Sequence, residues 1–305
     1  MAWTLTESLD SYLACAGEFL RSRPVRHTVQ LSVAESLHIR GASAFGETAP
    51  LFGWWQSAEG EVTAALLHTP PYQLLLTRLP GDSAQLLAEE LAGRGRQLAG
   101  VSGELGDAAA FAAAWSELTG EGCREFRRIR LFRLGHLEPP APAPDGAARA
   151  ATSADRDLLE SWFQAFGAET GELGRHHREV VDDRLSFGGL TLWEADGAAV
   201  SLAGAQRQVA GVVRIAPVYT PPERRGRGYG GAVTAAVSQA ALDAGAAHVV
   251  LFTDLANPTS NALYRRLGYR QVEDRVMLQF QHRAARDEGP RADARRVAGQ
   301  RRVAE

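Results

Sequence analysis

A proline-rich stretch near the middle of the chain most restricts how the protein can fold. Residues 137–157 read LEPPAPAPDGAARAATSADRD, in which four prolines alternate with small residues. Such a segment is semi-extended and does not pack a core. It predicts two domains, residues 1–138 and 153–282, joined by a Pro/Ala-rich linker at 139–152. The Arg/Ala-rich tail at 283–305 is predicted to be disordered, with a short basic interaction helix as the alternative.

The two halves show the same order of predicted elements: strands, helix, strand, helix, strand. In the second half a helix at 153–169 comes first, and a hairpin turn is predicted at Ala195–Gly197 between two strands. The later elements of this half are predicted at 231–245 (helix), 246–255 (strand), 257–268 (helix) and 270–280 (strand). The first half repeats this order from residue 51 onward, without repeating the sequence.

Composition excludes several classes of function. The chain has 305 residues, of which 45% are hydrophobic, an ordinary globular balance. Its net charge of −3 does not indicate a nucleic-acid partner. Cys15 and Cys123 form neither a metal nor a disulfide pattern. There is no signal peptide and no run of about 20 apolar residues, so we expect a cytoplasmic protein without a membrane partner or a metal.

A glycine-rich run stands between a predicted strand and a predicted helix. Residues 221–233 read PPERRGRGYGGAV. The free N–H groups of such a loop and of the first helical turn favour an anion, and glycines let it approach the backbone. Neighbouring arginines add charge-assisted hydrogen bonds to phosphate oxygens. The alternative interpretation is a flexible surface turn.

Three other glycine motifs fit poorly. A nucleotide P-loop requires Lys and then Ser or Thr after its last glycine, whereas Ala232 and Val233 follow here. The dinucleotide fingerprint requires a different final spacing, and the preceding strands look antiparallel. An RNA-binding arginine–glycine box is disfavoured because there is a single copy in an acidic protein.

Two segments, residues 218–237 and 251–269, resemble the GNAT superfamily of acyl-CoA-dependent N-acyltransferases. The first family motif falls on Arg225, Gly228 and Gly230, and the second on Asn257 and Tyr264. The resemblance covers roughly residues 188–280. It implies an α/β (α+β) protein with two GNAT-like domains, each a mixed, mostly antiparallel twisted sheet flanked by helices.

In this scheme the first half is a degenerate copy that matches in element order only. It reads LPGDSA at 79–84, where the second half has the glycine loop. Asp82 there would repel phosphate, so we expect the first half not to bind coenzyme A. In the strand that contains Trp54 and Trp55, alternation predicts that one of the two is core.

The resemblance implies acetyl-CoA as the co-substrate. The pantetheine arm would pair with the strand before the loop, as an added strand does, and an N–H near Val218 would polarise the thioester carbonyl. The implied cofactor-binding residues are Val218, Tyr219, Thr220, Arg225, Gly226, Arg227, Gly228, Tyr229, Gly230, Gly231, Asn257, Ser260 and Asn261.

The implied reaction is direct attack of a primary amine on the thioester, with Tyr264 protonating the leaving thiolate. On the capped helix, Tyr264 is expected to face the cofactor with Asn257, while Leu263 and Leu267 face the core. The general base is open because the strand before the loop carries Arg214 and no acid. Candidate bases are Glu169, Glu172, Asp182 and Glu194, with His176 and His177 less favoured and a water relay as a further route.

The acceptor and the assembly are not fixed by the sequence. A small-molecule amine is preferred over a protein acceptor, and a homodimer is left open. A non-catalytic acyl-CoA-binding or sensing protein is the alternative to an enzyme.

Overall fold

Two sets of strands and helices follow one another in this computed structural model, which describes residues 1–171 and 177–281. The first half contains, in order, β1 (Ala2–Thr6), α1 (Leu9–Ser22), α2 (Thr28–Arg40), β2 (Leu51–Gln56), β3 (Val62–His68), β4 (Leu74–Leu76), α3 (Ser83–Gly93), β5 (Gly100–Glu104), α4 (Leu105–Thr119) and β6 (Gly122–Leu134). The second half contains β7 (Ala147–Ala150), α5 (Arg156–Thr170), α6 (His177–Ser186), β8 (Leu190–Ala195), β9 (Ala198–Ala205), β10 (Val212–Tyr219), α7 (Tyr229–Asp243), β11 (His248–Asp254), α8 (Pro258–Arg266) and β12 (Tyr269–Gln281). The predicted tail at 283–305 lies outside the described residues.

All the strands that the structure describes form one sheet, in the order β1-β2-β3-β4-β5-β12-β6-β11-β10-β9-β8-β7. Two neighbouring pairs are parallel, β4 with β5 and β10 with β11. The remaining pairs are antiparallel. The predicted fold class, α/β with two mixed, mostly antiparallel GNAT-like halves, is confirmed. The two sheets are continuous with each other.

They are continuous because the halves exchange their last strands. Strand β6 ends the first half but lies between β11 and β12, and β12 ends the second half but lies between β5 and β6. The buried Phe132 of β6 therefore packs in the core of the second half. Val276 and Phe280 of β12 pack in the core of the first half. Each core is incomplete without a strand from the other half.

The predicted linker is partly structured. Ala147–Ala150 form strand β7, which pairs with β8 at the edge of the sheet. The preceding residues are held against the end of α8, where the N–H of Glu138 donates to the carbonyl of Leu267 (3.1 Å). Gly268 has φ +90°, and a Cβ there would overlap the carbonyl of His136. The domain boundaries themselves stay a prediction.

Helices cover both faces of the sheet. In the first half α1 and α2 pack on the face that contains Trp54, while α3 and α4 pack on the face that contains Trp55. The sequence predicted that one of the two tryptophans is core, and both are buried because helices cover both faces of the sheet. In the second half α7 and α8 lie on one face and α5 and α6 on the other. No helix within residues 1–171 and 177–281 is long and apolar enough to cross a bilayer.

Local signals account for the ends of several elements. Asp196 and Gly197 both have positive φ (52° and 73°), which gives the tight turn predicted between β8 and β9. Gly120 and Gly171 end α4 and α5 in the left-handed conformation. Pro258 occupies the first position of α8, where its missing N–H costs no hydrogen bond.

Because of the exchanged strands, we predict that the two halves unfold together. Phe132→Ala removes a fully buried ring that the first half contributes to the second, and should lower the free energy of unfolding by about 3–5 kcal/mol. Phe126→Ala, at a partly exposed position of the same strand, is the control and should change it by less than about 1 kcal/mol. Urea unfolding followed by tryptophan fluorescence and circular dichroism measures both. Two separate transitions, of which only one shifts, would contradict the prediction.

Candidate functional site

Strands β10 and β11 pair over only half of their length. Their parallel register runs from Val212 opposite His248 to Ile215 opposite Leu251 and then stops. Strand β10 continues to Tyr219, held only by β9, and β11 continues to Asp254, held only by β6. The two strands therefore separate toward their carboxyl ends and leave an opening between two backbone edges.

A bulge in β10 directs one backbone N–H into this opening. The β9–β10 register shifts between Ile215 and Val218. The N–H of Ala205 on β9 donates to the carbonyl of Gly189, on the β8 side of the strand (2.7 Å). Ile215 lies opposite Ala205 in this antiparallel ladder, so its own N–H points away from β9, toward β11. Ala203 lies two residues from Ala205, so its N–H also points toward β8. The N–H of Val218, which lies opposite Ala203, therefore also points toward β11. Val218 lies beyond the last β10–β11 pair, so its N–H faces the opening.

The glycine loop presents a run of free N–H groups just after β10. Gly226 and Gly228 are left-handed (φ 76° and 83°), and Gly228 precedes the first turn of α7. In the described part of the chain, none of the N–H groups of residues 226–231 donates a hydrogen bond to the protein. Arg224 and Arg227 form no ion pair there either. Successive N–H donors at a helix N-terminus with nearby cations attract an anion.

Arg225 is already bound within the protein. Its Nη2 donates to both carboxylate oxygens of Glu169 on α5 (2.7 and 2.8 Å), and its Nε donates to the carbonyl of Thr220 (2.8 Å). The guanidinium also lies 5.9 Å from the ring centre of Tyr219. The arginine of the first motif thus braces the loop against α5 and β10 in this structure.

Close packing explains two of the glycines. A Cβ at Gly231 would lie 3.0 Å from a methyl of Leu263 and 3.4 Å from Pro140, so the proline-rich segment and α8 both press on the loop. A Cβ at Gly230 would lie 3.3 Å from the Thr220 hydroxyl, which is hydrogen-bonded to Ser201 (2.8 Å).

The sequence-predicted residues of the loop do not all face the same way. The side chain of Tyr229 is buried against Ala195 and Val200 in a cluster of its own. Tyr229 therefore has only its backbone at the loop. Tyr219 is also buried, packed against Trp162 of α5.

The polar residues of the second motif tie α8 to β11. Asn257 caps the helix, with its Oδ1 accepting from the N–H of Ser260 (3.0 Å). Asn261 is buried, and its Nδ2 donates to the carbonyls of Asp254 (2.7 Å) and Asn257 (2.8 Å). Its Oδ1 is buried and has no hydrogen-bond partner among the residues that the structure describes. Asn261 thus keeps one acceptor for a ligand or water.

Tyr264 lies in the core rather than on a separate polar face. Its ring packs against Phe132 (centroids 6.4 Å apart) and Tyr269 (6.0 Å), and it shares a cluster with Leu267. The expected division of α8 into two faces fails because β6 of the first half brings Phe132 against the helix. Burial raises the pKa of Tyr264 to about 12. No hydrogen bond reaches its hydroxyl from residues 1–171 or 177–281, so the phenol is a neutral donor without a protein acceptor.

The three candidate carboxylates within the described chain are all engaged in ion pairs. Glu169 binds Arg225, Asp182 binds Arg156 (2.6 Å), and Glu194 binds Arg149 (2.6 Å). His177 begins α6. Glu172 and His176 lie outside the described residues, so the structure does not rank these candidates.

Sequence patterns did not reveal that Arg214 contacts the first half or that Arg184 binds main-chain carbonyls near β10. Arg214 donates to Gln206 (2.6 Å) and to Ser32 of α2 (2.8 Å), so the first half reaches the strand that borders the opening. Arg184 of α6 is buried and donates to two carbonyls at the β10 bulge. In the sequence it stands among charged residues, where an arginine is usually solvent-exposed.

Residues 152–269 match the model of the Acetyltransferase (GNAT) family. The second half has the fold of a GNAT domain. Members of the GNAT family are acyltransferases that use an acyl-CoA. A search of curated proteins found no match for the chain.

Solved structures extend the likeness to both halves. A GNAT-family acetyltransferase from Colwellia psychrerythraea has a TM-score of 0.57 at 10% identity and covers 92% of this chain and 99% of its own. A GCN5-related N-acetyltransferase from Sphaerobacter thermophilus has a TM-score of 0.59 at 19% identity (90% and 94%). A Drosophila protein has a TM-score of 0.60 at 16% identity (90% and 96%). At these identities the likeness shows the fold alone, here a pair of GNAT-like halves.

The buried Tyr264 of the second half predicts a loss of stability in alkali. Its pKa is raised from about 10 in the unfolded chain to about 12, so its contribution is complete below pH 10 and is lost as the pH rises toward 12. Between pH 9 and 11.5, wild type should lose about 2 kcal/mol more than Tyr264→Phe, which cannot ionise. The buried Tyr12 is present in both proteins, so its contribution cancels, whereas Tyr269 contacts Tyr264 and its ionisation is coupled to that of Tyr264. Urea unfolding at several pH values measures the difference, and a difference independent of pH would contradict the prediction.

Proposed function

We propose that the protein is an N-acetyltransferase that moves an acetyl group from acetyl-CoA to a primary amine. The observation that carries the proposal is the run of free N–H groups at residues 226–231, placed at a helix N-terminus directly after the separating strand β10. Coenzyme A carries a pyrophosphate, and this loop suits a doubly charged anion. Arg224 and Arg227 would add charge-assisted hydrogen bonds to its oxygens.

The opening between β10 and β11 supports the same ligand. The pantetheine arm has amide groups that pair with an unpaired strand edge as an added strand does. The edge of β10 beyond Ile215 is such an edge. An arm that starts at the loop and follows this edge inward brings the thioester to the end of the β10–β11 pairing, beside the N–H of Val218.

The proposed reaction needs no covalent enzyme intermediate. The amine nitrogen attacks the thioester carbonyl carbon, a C–N bond forms, and the carbonyl oxygen becomes an oxyanion that accepts a hydrogen bond from Val218. The C–S bond then breaks and the coenzyme A thiolate receives a proton from Tyr264, which regains one from solvent. The amine gives up its proton to a carboxylate or through water, since an ammonium ion has no lone pair for attack.

The first half supports the acceptor side of this scheme. Ser32 of α2 reaches Arg214 on β10, on the face of the sheet opposite α7 and α8. We infer that α2 forms one wall of the amine site, for which a small molecule is the preferred occupant. The first half itself should not bind coenzyme A, because LPGDSA lacks the glycine backbone and places Asp82 at the start of α3.

Gly228→Asp tests the loop directly. It adds a carboxylate beside the N–H groups and a side chain at φ +83°, so coenzyme A affinity should fall at least tenfold. Gly245→Asp is the matched control: it has φ +86°, lies just beyond the other end of α7, and should cost similar stability while leaving affinity unchanged. Calorimetric titration with coenzyme A, beside a thermal melt, measures both. Equal affinities for the two folded variants would remove the loop from the proposal.

Activity is tested by thiol release. Purified protein and acetyl-CoA are screened against pools of amines, aminoglycosides, amino acids and peptides. Acetyl-CoA binding that depends on Gly228, without thiol release for any pool, would favour the alternative function of a non-catalytic acyl-CoA sensor.

Tyr264→Phe tests the proton donor. The ring and its packing stay, so acetyl-CoA affinity should change little, whereas turnover should fall by roughly 10²-fold, within the usual range for losing an acid catalyst. Steady-state kinetics with a confirmed acceptor measure the effect. Full activity would make Tyr264 a packing residue, and an inactive variant that has also lost acetyl-CoA affinity would indicate a role in binding instead.

A further inference from the structure

Arg184 is a buried cation that forms no ion pair with a residue of the described chain. It is 9% exposed, and its Nη1 donates to the carbonyls of Ala205 and Ala216, both at 2.9 Å. None of the carboxylates that the structure describes lies within ion-pair distance of it. Burial lowers its pKa to about 10, so it stays charged at neutral pH. An unpaired buried guanidinium is costly, and the two carbonyl bonds are what offset this cost.

The two carbonyls flank the bulge of β10. Ala205 is the last residue of β9 and lies opposite Ile215. Ala216 directly follows Ile215, at the start of the bulge. The strands approach closely here, since a Cβ on Gly204 would lie 2.7 Å from the oxygen of Ala216. The extra residue of a bulge lacks a partner in the ladder, and here Arg184 supplies one from the adjacent helix.

The bulge decides which N–H faces the opening. In a regular strand residues 215, 217 and 219 would face β11, and Pro217 has no N–H to offer. The added residue shifts the alternation so that Val218 faces β11 in place of Pro217. Without the bulge, the opening would receive no donor at the position next to the last β10–β11 pair.

We propose that Arg184 is a positioning residue for acyl transfer: it fixes the β10 bulge and thereby aims the Val218 N–H at the thioester carbonyl. This inference rests on the proposed function, because it assumes that the thioester occupies the opening. Arg184 itself need not touch the substrate. Its effect should therefore be specific to ligands that carry the acyl carbonyl, with coenzyme A itself bound normally.

The test compares three variants with wild type. Arg184→Gln keeps an amide donor but loses the charge and part of the reach, and Arg184→Lys keeps the charge with a shorter reach. Arg275→Gln is the control, since Arg275 is also buried and donates to the carbonyls of Leu76 and Arg26 and to the carboxylate of Glu273, away from the opening. Calorimetry gives Kd for acetyl-CoA and for coenzyme A, kinetics give kcat and KM, and a melt gives Tm.

We expect Arg184→Gln to lower kcat by 10²-fold or more, as for loss of an oxyanion donor, with the Kd of coenzyme A within twofold of wild type. Any preference of wild type for acetyl-CoA over coenzyme A should disappear in this variant and partly return in Arg184→Lys. Arg275→Gln should lower Tm and leave kcat and the preference for acetyl-CoA over coenzyme A unchanged. If Arg184→Gln does not fold, Arg184→Lys carries the same comparison.

Two results would overturn the inference. One is a kcat for the Arg184 variants within twofold of the control. The other is an equal loss of affinity for both ligands, which would show a structural role only. The proposed function fails separately, if wild type binds neither ligand. If wild type prefers acetyl-CoA over coenzyme A and yet transfers the acetyl group to no acceptor tested, loss or retention of this preference in Arg184→Gln decides the role of Arg184.

Discussion

The exchange of β6 and β12 is the constraint on which the rest of this structure depends. A strand edge left open binds other chains, and each half would have such an edge without the strand it receives. The exchange closes both edges within one chain. It also sets the shape of the candidate site, because β11 beyond Leu251 pairs only with β6. The first half thus holds one wall of the opening in the second half.

Backbone and side chains of the glycine loop differ in how free they are to bind the proposed anion. Arg225, which the family motif singles out, is neutralised by Glu169 and bonded to Thr220. The free N–H groups of residues 226–231 have no such competitor in the described chain. Backbone donors fixed by two left-handed glycines are preorganised, so binding an anion costs them little ordering entropy. For the pyrophosphate of the proposed function, the backbone would supply most of the specificity, with arginine charge as an addition.

Sequence patterns predicted the features that local chemistry determines. The turn at Asp196–Gly197, the cap at Asn257 and the glycines at the start of α7 all act within a few residues of the chain. Each depends on a backbone angle or a hydrogen bond that a short window of sequence specifies. The element order of both halves followed from the same local patterns.

The features that failed prediction depend on distant residues. Nothing in the sequence of β6 distinguishes a strand that pairs with its own half from one that pairs with the other. Tyr264 was assigned to a polar face because helical spacing does not reveal Phe132, which lies more than a hundred residues earlier and covers that face. Arg184 was not singled out by any sequence pattern, since its partners are main-chain carbonyls that the sequence does not reveal.

The depth of Tyr264 bears on the proton transfer assigned to it. A phenol whose pKa is about 12 gives its proton to a thiolate of ordinary pKa, about 8.5, only uphill, by about 5 kcal/mol. The burial that raises the pKa of the phenol also raises that of a thiol in the same dry site, because both anions lose solvation. In the proposed reaction, coenzyme A would exclude water from the opening, and the two pKa values would then approach each other. Under that proposal Tyr264 acts as an acid only with coenzyme A bound, delivering its proton as the thiolate forms.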